Sequence, residues 1–334
     1  MNINVSIIIP AWHEEKFLDD TLASLKTSDY NLKECEVIVV ASDDDRTYET
    51  AKMRDMAEFG GYAVLRQSPG GKNTALQQGV KISKGEIIVF LDADAIVDKN
   101  CLRELIKPII SDKSVCTHGN FFPLTHSWLN PFFMIEKTWG LQIMKRQSTH
   151  GKGGIAVKKS IIDEIGIDTL INKRIYVGVD HYFGEQILKN GYEIYFAEKA
   201  KTKSYFNNTL GGFIRDNLRW KKGYFRLITK KRLFTIAGFN LAIVLSFIIF
   251  LSALIPSTLF YKTFLFSIPF FFYSFSLLVK CTAVSKTASK AGFVFYFPIQ
   301  VFLKLIDTTL TCHAFLENLL KREQDSVHFK GERE

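Results

Sequence analysis

The sequence contains few cysteines: five are scattered through 334 residues, and no CxxC pair is present. An odd number without paired spacing argues against a disulfide framework and against a zinc ribbon, and favours a reducing compartment. Cys116 and His118 have the spacing of half a metal site. No matching pair accompanies them, so we interpret Cys116 as a small buried side chain.

Two nucleotide-binding fingerprints are also missing. No GxGxxG follows the first apolar run, and no GxxxxGK[ST] occurs, since the GGKN at 70–73 shares only its Gly-Lys with a phosphate loop. The opening MNINVSIIIPAW lacks the basic start and the long apolar run of a signal peptide, so none is expected.

Positive charge is concentrated in one place. The chain has a net charge of +9, and the segment from Arg215 to Arg232 holds eight basic residues and one acidic residue. A nucleic-acid-binding protein would carry basic residues over a whole face, so no nucleic-acid partner is expected. A single basic block before an apolar segment predicts contact with a membrane surface and its anionic lipids.

Long apolar runs are confined to the C-terminal third, where they predict a membrane domain at 231–320. Residues 234–255 and 258–279 are each long enough to span a bilayer, and Pro256 between them predicts a transmembrane helical hairpin. A third segment, 291–320, contains one proline and three charged residues, so it is either an interfacial helix or a third span. A charged tail follows at 321–334.

The basic flanks of the hairpin predict its orientation. The basic block precedes it, and a predicted loop carrying Lys280, Lys286 and Lys290 follows it, whereas the tip is almost uncharged. By the positive-inside rule, both flanks and the N-terminal domain should be cytoplasmic. We therefore expect a multi-pass protein of the cell membrane with a cytoplasmic catalytic domain.

The first 230 residues alternate short β-branched runs with helical patterns. The runs at 5–9, 36–41, 62–66 and 86–91 are nearly continuous, as in strands covered on both faces. This order predicts an α/β fold with a Rossmann-like, doubly wound, mostly parallel sheet and a ligand site at the carboxyl ends of its strands.

Two carboxylates stand at such a strand end. Asp92 and Asp94 follow the apolar run directly. Paired carboxylates repel unless a cation or solvent lies between them, and hard divalent cations bind oxygen ligands together with substrate phosphates. Asp-x-Asp alone is weak evidence, because strand-end aspartates also stabilise turns.

Four further segments occur in order around this motif: IIPAWHEE (8–15), GGKNTALQQG (70–79), GVDHYFGEQILKNGY (178–192) and TLGGFIRDNLRWKKG (209–223). Together the five segments resemble family 2 glycosyltransferases, which have the GT-A fold, and the hairpin is similar to that of membrane-bound members. The resemblance covers about residues 3 to 230, with an interfacial basic helix at about 209–230. It implies a nucleotide-sugar donor (a UDP or GDP sugar) and a Mg²⁺ or Mn²⁺ cofactor.

The resemblance implies a role for each matching residue. The donor-binding residues would be Pro10, Ala11, Glu14, Asp43, Lys72, Asp92 and Asp94. Asp94 would be the principal metal ligand, with Asp92 closer to the sugar or ribose. Two departures weaken the match around the base: Trp12 and His13 replace the usual Tyr and Asn, and Asp43 is displaced from the usual place of the acidic pair.

On the acceptor side, Asp180 matches the general base of members that glycosylate hydroxyl groups, although Val179 replaces the usual preceding Glu. Asp180 could also cap the helix that ends at Gly191. Arg219 would stabilise the departing diphosphate and Trp220 would stack on the acceptor. His150 and Gly153 lie in a segment that resembles the acceptor-side strand. Asp216 stands where processive members have Gln.

The resemblance and the membrane segments together predict an inverting, metal-dependent glycosyltransferase. Its acceptor would be a hydroxyl of a lipid-linked or membrane-presented glycan. The alternatives are a polyprenyl-phosphate glycosyltransferase, whose anionic acceptor needs no base, a processive polysaccharide synthase, and an inactive membrane scaffold. Two or three spans are few for a polysaccharide channel within one chain.

Overall fold

The structure is a computed structural model that describes residues 4–42, 46–143, 153–175, 177–227, 230–253, 267–287 and 292–320. These residues form two compact units. The first contains the described residues up to 125 together with 153–206, and the second contains 126–143 and 207–320. The segment 126–143 thus belongs with the C-terminal helices, whereas the sequence placed the division near residue 230.

The first unit contains eight strands among the described residues. They are β1 (Val5–Ala11), β2 (Cys35–Ala41), β3 (Gly61–Arg66), β4 (Ile87–Phe90), β5 (Ala95–Val97), β6 (Cys116–Pro123), β7 (Ile155–Lys158) and β8 (Ile194–Ser204).

The helices of both units are numbered together in chain order. They are α1 (Leu18–Lys26), α2 (Thr47–Lys52), α3 (Gly71–Ile82), α4 (Cys101–Ile110), α5 (Asn130–Thr138), α6 (Lys159–Ile165), α7 (Ile167–Leu170), α8 (Val179–Lys189), α9 (Leu210–Leu227), α10 (Lys230–Ala253), α11 (Ile268–Thr287), α12 (Gly292–Phe295) and α13 (Phe297–Leu320). A π-helical turn, Trp139–Ile143, follows α5.

The strands form one mixed sheet in the order β3-β2-β1-β4-β7-β6-β8-β5. The four strands predicted from the sequence pair in parallel, as expected. Beyond β4 the sheet changes: β7 is antiparallel to both β4 and β6, and β5 is antiparallel to β8. In this half of the sheet, β6 and β8 pair in parallel. The prediction of an α/β fold with a mostly parallel sheet is confirmed, and the antiparallel pairs lie beyond β4.

Both faces of the central strands are buried. Along β1, Ile7 and Ile9 pack into one apolar cluster and Ile8 packs into another. In the neighbouring strand β2, Val37 and Val39 pack into the first cluster and Ile38 packs into the second. Successive side chains point to opposite faces, so a strand covered on both sides must be apolar throughout. This requirement explains the unbroken apolar runs in the sequence.

The second unit is helical, and its described residues include three helices long and apolar enough to cross a membrane. Those segments are Phe234–Leu251 in α10, Ile268–Thr287 in α11 and Phe297–Glu317 in α13. Many of their aromatic side chains face outward, including Phe239, Phe272 and Phe275. Exposed phenylalanines on a helix of this length suit contact with lipid.

The second apolar helix is shifted relative to its prediction. The sequence predicted a span at 258–279, whereas α11 begins at Ile268 and continues to Thr287. Lys280 and Lys286 therefore lie within a helix and not in a basic loop, which weakens the charge argument for orientation. The predicted tip at Pro256, Lys290 and the charged tail 321–334 lie outside the described residues.

Lys280 takes part in a largely buried ionic cluster centred on the partly exposed Glu136 of α5. Oε1 of Glu136 lies 2.6 Å from Nζ of Lys280 and accepts a hydrogen bond from Gln300 at 2.9 Å. Its Oε2 lies 3.1 Å from Nζ of Lys304. Asp307 extends the cluster by contacting Lys304 at 3.4 Å and Lys221 of α9 at 2.7 Å. Ionic contacts thus join α5 and α9 to α11 and α13.

Candidate active site

The two predicted metal-binding aspartates follow β4, which lies between β1 and β7 in the sheet. The carbonyl of Asp92 accepts a hydrogen bond from the Ala95 amide at 3.2 Å, which makes a tight turn into β5. Asp94 is buried at 6% exposure. The structure therefore places both carboxylates at the carboxyl end of a central strand, where open α/β sheets bind ligands.

Helix α1 holds this turn in place through two buried hydroxyl groups. Thr21 donates from Oγ1 to the carbonyl of Ala93 at 2.7 Å, and Oγ of Ser24 accepts from the amide of Val97 at 3.1 Å. Both side chains lie on the buried face of the helix. Sequence reasoning missed them, because a hydroxyl group in an amphipathic helix does not indicate its tertiary partner.

Lys72 contacts the first of these aspartates. It lies in the first turn of α3, after Gly70 and Gly71, whose φ angles of 130° and 73° suit glycine. Its Nζ is 2.6 Å from Oδ1 of Asp92. Burial opposes protonation, but neighbouring carboxylates outweigh it and hold the pKa of Lys72 above its ordinary value. Those carboxylates belong to Asp92, Asp180 and Asp94.

Asp180 enters the same region from the first turn of α8. The N-cap of that helix is Gly178, with a left-handed φ of 74°, so the expectation that Asp180 is the capping residue is wrong. At the other end, Gly191 donates to Leu188 and Tyr192 donates to Ile187. These two bonds form a Schellman motif and confirm Gly191 as the terminating glycine.

One cavity collects these side chains. Lys72, Asp92 and Asp180 contribute charged groups to its wall. The remaining wall is apolar and consists of Pro10, Leu76, Phe90, Leu91, Ile155, Ile171, Val179 and Phe183. Segments that are distant in sequence thus meet at one cleft, which is faced by the ammonium of Lys72 and the carboxylates of Asp92 and Asp180.

The turn after β1 is held between α1 and α2. Ala11 is buried opposite Ala41 in the sheet. The amide of Glu14 donates to Oγ1 of Thr47 at 3.0 Å, and the Glu14 side chain is buried. His13, where the family usually has Asn, adopts a φ of 55°, a left-handed conformation that Asn also tolerates. Asp43, the predicted base contact, lies outside the described residues.

Gly153 precedes β7 and lies against the backbone of β6. A Cβ at Gly153 would be 2.3 Å from the carbonyl oxygen of Gly119, and a Cβ at Gly119 would be 2.1 Å from that of Gly153. The close approach of the two backbones therefore explains why both positions are glycine. This explanation does not depend on a role of Gly153 in acceptor binding. His150 lies outside the described residues.

Arg219 and Trp220 lie on α9 in the second unit, whereas the cleft belongs to the first. Arg219 contacts Asp216, one turn earlier, at 3.5 Å. Its Nε is buried without a hydrogen-bond partner among the described residues. Trp220 is 37% exposed. Helix α9 therefore carries the guanidinium of Arg219 next to the aromatic ring of Trp220, among other basic residues.

The side chains of the cleft could hold a hard cation only together with oxygen ligands from water or from a bound phosphate. Within the described residues, no group of three or more His, Cys, Asp or Glu side chains is placed to hold a metal ion. However, the negative charges of Asp92, Asp180 and Asp94 all act on the ammonium of Lys72. Carboxylates at such a cleft suit a divalent cation whose remaining ligands are water and phosphate oxygens, the usual arrangement for Mg²⁺.

Comparison with protein families agrees with this geometry. The model described as glycosyl transferase family 2 matches residues 6–161. A second model, described as glycosyl transferase family group 2, matches residues 87–303, which is more than half of the chain. The chain belongs to glycosyltransferase family 2. The second match extends from the strand before Asp92 through the first two apolar helices and ends within the first turns of the third.

Two curated relatives of this glycosyltransferase come from Staphylococcus aureus. The poly-beta-1,6-N-acetyl-D-glucosamine synthase is 25% identical over 231 residues, covering 66% of this chain and 54% of the relative. The poly(ribitol-phosphate) beta-N-acetylglucosaminyltransferase TarS is 24% identical over 202 residues, covering 59% and 30%. The glycosyltransferase thus spans about half the length of the first relative, and less of the second.

A solved structure confirms the fold of the glycosyltransferase. The mannosyltransferase PcManGT from Pyrobaculum calidifontis, in complex with GDP-Man and Mn²⁺, superposes with a TM-score of 0.60 and 16% identity. The match covers 97% of this chain and 89% of that one. The GT-A-like core with C-terminal apolar helices is therefore the architecture of the glycosyltransferase, as the sequence predicted.

Proposed function

We propose that the chain is a membrane-associated, metal-dependent enzyme. It transfers a sugar from a nucleoside-diphosphate sugar to a hydroxyl of a lipid-linked or membrane-presented glycan. The observation that carries the proposal is the convergence of Lys72, Asp92 and Asp180 on one cleft at the carboxyl end of β4. A phosphate-binding cation, a metal-binding carboxylate and a proton acceptor are what such a transfer requires.

Donor binding is assigned to the strand-end carboxylates and Lys72. Asp94, assisted by Asp92, would hold Mg²⁺ or Mn²⁺, and when bound the ion supplies positive charge against the donor diphosphate. Since its pKa is raised, Lys72 stays protonated near neutral pH and offers its ammonium to the same phosphates. Pro10, Ala11 and Glu14 form the turn proposed to face the nucleoside.

Transfer is assigned to Asp180. Its carboxylate takes the proton of the acceptor hydroxyl as the oxygen attacks the anomeric carbon. The bond from that carbon to the diphosphate oxygen breaks in the same displacement, so the anomeric configuration inverts. Arg219 would stabilise the departing diphosphate with its planar guanidinium, and Trp220 would stack on the acceptor.

UDP-N-acetylglucosamine is the first donor to test. Both curated relatives carry N-acetylglucosamine in their names, whereas the solved neighbour was crystallised with GDP-Man. We therefore propose a UDP sugar as donor and include GDP sugars in the panel.

The acceptor is proposed to be amphiphilic. Among the described residues, three helices have the length and composition of membrane spans, and the basic block at 215–232 suits anionic headgroups. Together they support an enzyme of the cell membrane, and the basic block before the first span is the remaining argument for a cleft that faces the cytoplasm. A processive polysaccharide synthase is the second candidate, because the first relative is itself a polymer synthase.

Nucleotide release by purified protein in detergent tests the donor assignment. We expect slow hydrolysis of one nucleotide sugar with Mn²⁺ or Mg²⁺, and loss of release with EDTA or in Asp94→Asn. Asp112→Asn is the matched control, because Asp112 is an exposed carboxylate that pairs with Lys158 away from the cleft. Release that survives both EDTA and Asp94→Asn would refute the metal assignment.

Transfer to membrane lipid extracts then tests the acceptor assignment. One sugar per acceptor supports the proposal, and long polymers support the synthase. If Asp180→Asn keeps near-normal turnover, the acceptor needs no base, as expected for a polyprenyl phosphate. Absence of both nucleotide binding and metal binding in calorimetry would instead favour an inactive scaffold.

A further inference from the structure

Helix α3 carries two buried carboxamides that the reaction above does not use. Asn73 and Gln77 are one turn apart, on the same face of the helix, and each is 2% exposed. The amide groups of side chains buried this deeply usually have hydrogen-bond partners, because unpaired polar groups are costly inside a protein. Their partners therefore indicate what this face of α3 does.

Both amides donate to one segment that is distant in sequence. Nδ2 of Asn73 donates to the carbonyl oxygens of Asn172 and Ile175, at 2.5 and 2.7 Å. Nε2 of Gln77 donates to the carbonyl of Ile171 at 2.7 Å and to Oδ1 of Asp168 at 2.8 Å. Four hydrogen bonds thus tie the segment 168–175 to α3.

This segment leads directly to Asp180. After Ile175 the chain reaches Gly178, the left-handed N-cap, and then the first turn of α8. Apolar side chains anchor the segment on both sides, since Ile171 before it and Val179 after it belong to one core cluster. Between these anchors, the backbone carbonyls of Asn172 and Ile175 are held by Asn73.

The same helix also contacts the donor side of the cleft. Lys72 immediately precedes Asn73, and its ammonium lies 2.6 Å from Asp92. The first turn of α3 therefore touches the strand-end carboxylate through one residue and the segment leading to Asp180 through the next. A shift of the segment would move Asp180 relative to Lys72 and Asp92.

We infer that Asn73 and Gln77 are positioning residues: they hold the segment 168–175, so that Asp180 stays aligned with the donor site. This inference rests on the proposed role of Asp180 as the base. Neither amide lines the cleft, so each acts through the backbone that it binds. Small displacements of a catalytic group, of about 1 Å, can cost about 10²-fold in rate.

Gln77→Leu and Asn73→Ser test the inference, with Gln78→Leu as the matched control. Gln78 is the next residue of α3 and also makes two backbone hydrogen bonds, but to Ser68 and Arg66. We expect kcat for transfer to fall about 10- to 100-fold in the first two variants, with the donor KM changed less than about threefold. The control should keep kcat within about twofold.

A double-mutant cycle separates positioning from general loosening of the fold. In an Asp180→Asn background, Gln77→Leu should lower the residual rate by less than about twofold, because the base that it positions is already absent. An undiminished effect of Gln77→Leu in that background would overturn the inference. So would a normal kcat in both Asn73→Ser and Gln77→Leu.

An additional exposed variant and the activity of the wild-type protein complete the test. If the buried variants do not fold, Asp168→Ala removes one of the four bonds at an exposed side chain, and should lower kcat about two- to fivefold. An unchanged rate in this variant would count against the inference. Wild-type protein without donor-dependent activity would instead refute the proposed function, so the two failures are distinguishable.

Discussion

Replacing Glu136 with Gln should destabilise the second unit strongly. Glu136 contacts the ammonium groups of Lys280 and Lys304, whose side chains are only 11% and 16% exposed. Removing one partner of a buried ion pair typically costs 3–5 kcal/mol. Because Glu136 is itself 28% exposed, we take the low end, about 3 kcal/mol, which is roughly a hundredfold in the unfolding equilibrium.

Denaturant unfolding in detergent micelles, followed by tryptophan fluorescence, measures this change. Trp139 is a suitable reporter, since its ring centroid is 5.9 Å from Nζ of Lys280. Asp112→Asn is the control: Asp112 also contacts a lysine, at 2.5 Å, but is exposed, so no measurable change is expected. Asn also tolerates the φ of 52° at that position.

A second substitution tests the cause. Lys280→Met in the Glu136→Gln background should recover part of the lost stability, because it removes the ammonium left without its carboxylate. Equal stability of wild type and Glu136→Gln would refute the reasoning. A double variant less stable than Glu136→Gln would show that packing, and not charge, accounts for the loss.

The pH dependence has a defined sign. Burial favours the neutral form of Glu136, but the charges of Lys304 and Lys280 outweigh it and hold the pKa below its ordinary value of 4.5. The stabilisation is therefore present above pH 4.5 and is lost as the pH falls through the folded-state pKa. Glu136→Gln should flatten this acid limb in unfolding curves recorded between pH 6 and 3.

Three further predictions concern the first unit. Lys72→Met should lower kcat/KM by about 10²-fold in the nucleotide-sugar assay, and equal activity of Lys72→Met and wild type would contradict its role at the phosphates. Gly119→Ala should lower the unfolding free energy by about 1–3 kcal/mol, because its Cβ would meet the Gly153 carbonyl, whereas Gly211→Ala, in open space, should not. Burial raises the pKa of Cys35 and of Cys101 to about 12, so neither should react with maleimide at pH 8 until the protein unfolds; labelling of the folded protein, detected by mass spectrometry, would contradict this.

Several features were predictable because their causes are local. The runs that became β1, β2 and β4 are unbroken because both faces of those strands are buried, so their identity did not depend on distant partners. The run that became β3 forms a half-buried strand at the edge of the sheet. Asp92 and Asp94 were placed at a strand end by the abrupt change from apolar to acidic residues. Burial of Cys116 is likewise confirmed, since small apolar side chains with no ligand partners usually pack inside.

Other features depended on partners far along the chain. Lys280 reads as part of a basic loop in sequence, but in the structure it lies in α11 and pairs with Glu136. The capping role considered for Asp180 failed because Gly178 supplies the left-handed turn one residue before α8. The antiparallel direction of β7 leaves no pattern in its four residues, because a short buried strand is apolar in either direction.

The sequence by itself determined the first four strands of the sheet, the segments apolar enough for a membrane, and the carboxylates that end a strand. These properties follow from side-chain hydrophobicity at fixed spacing, which acts over a few residues. Only the tertiary structure brought Lys72, Asp92 and Asp180 to one cleft and joined Asn73 to the segment before Asp180. Such contacts arise when distant segments pack against the same sheet, and a hydrogen bond or ion pair between them leaves no periodic pattern in either segment.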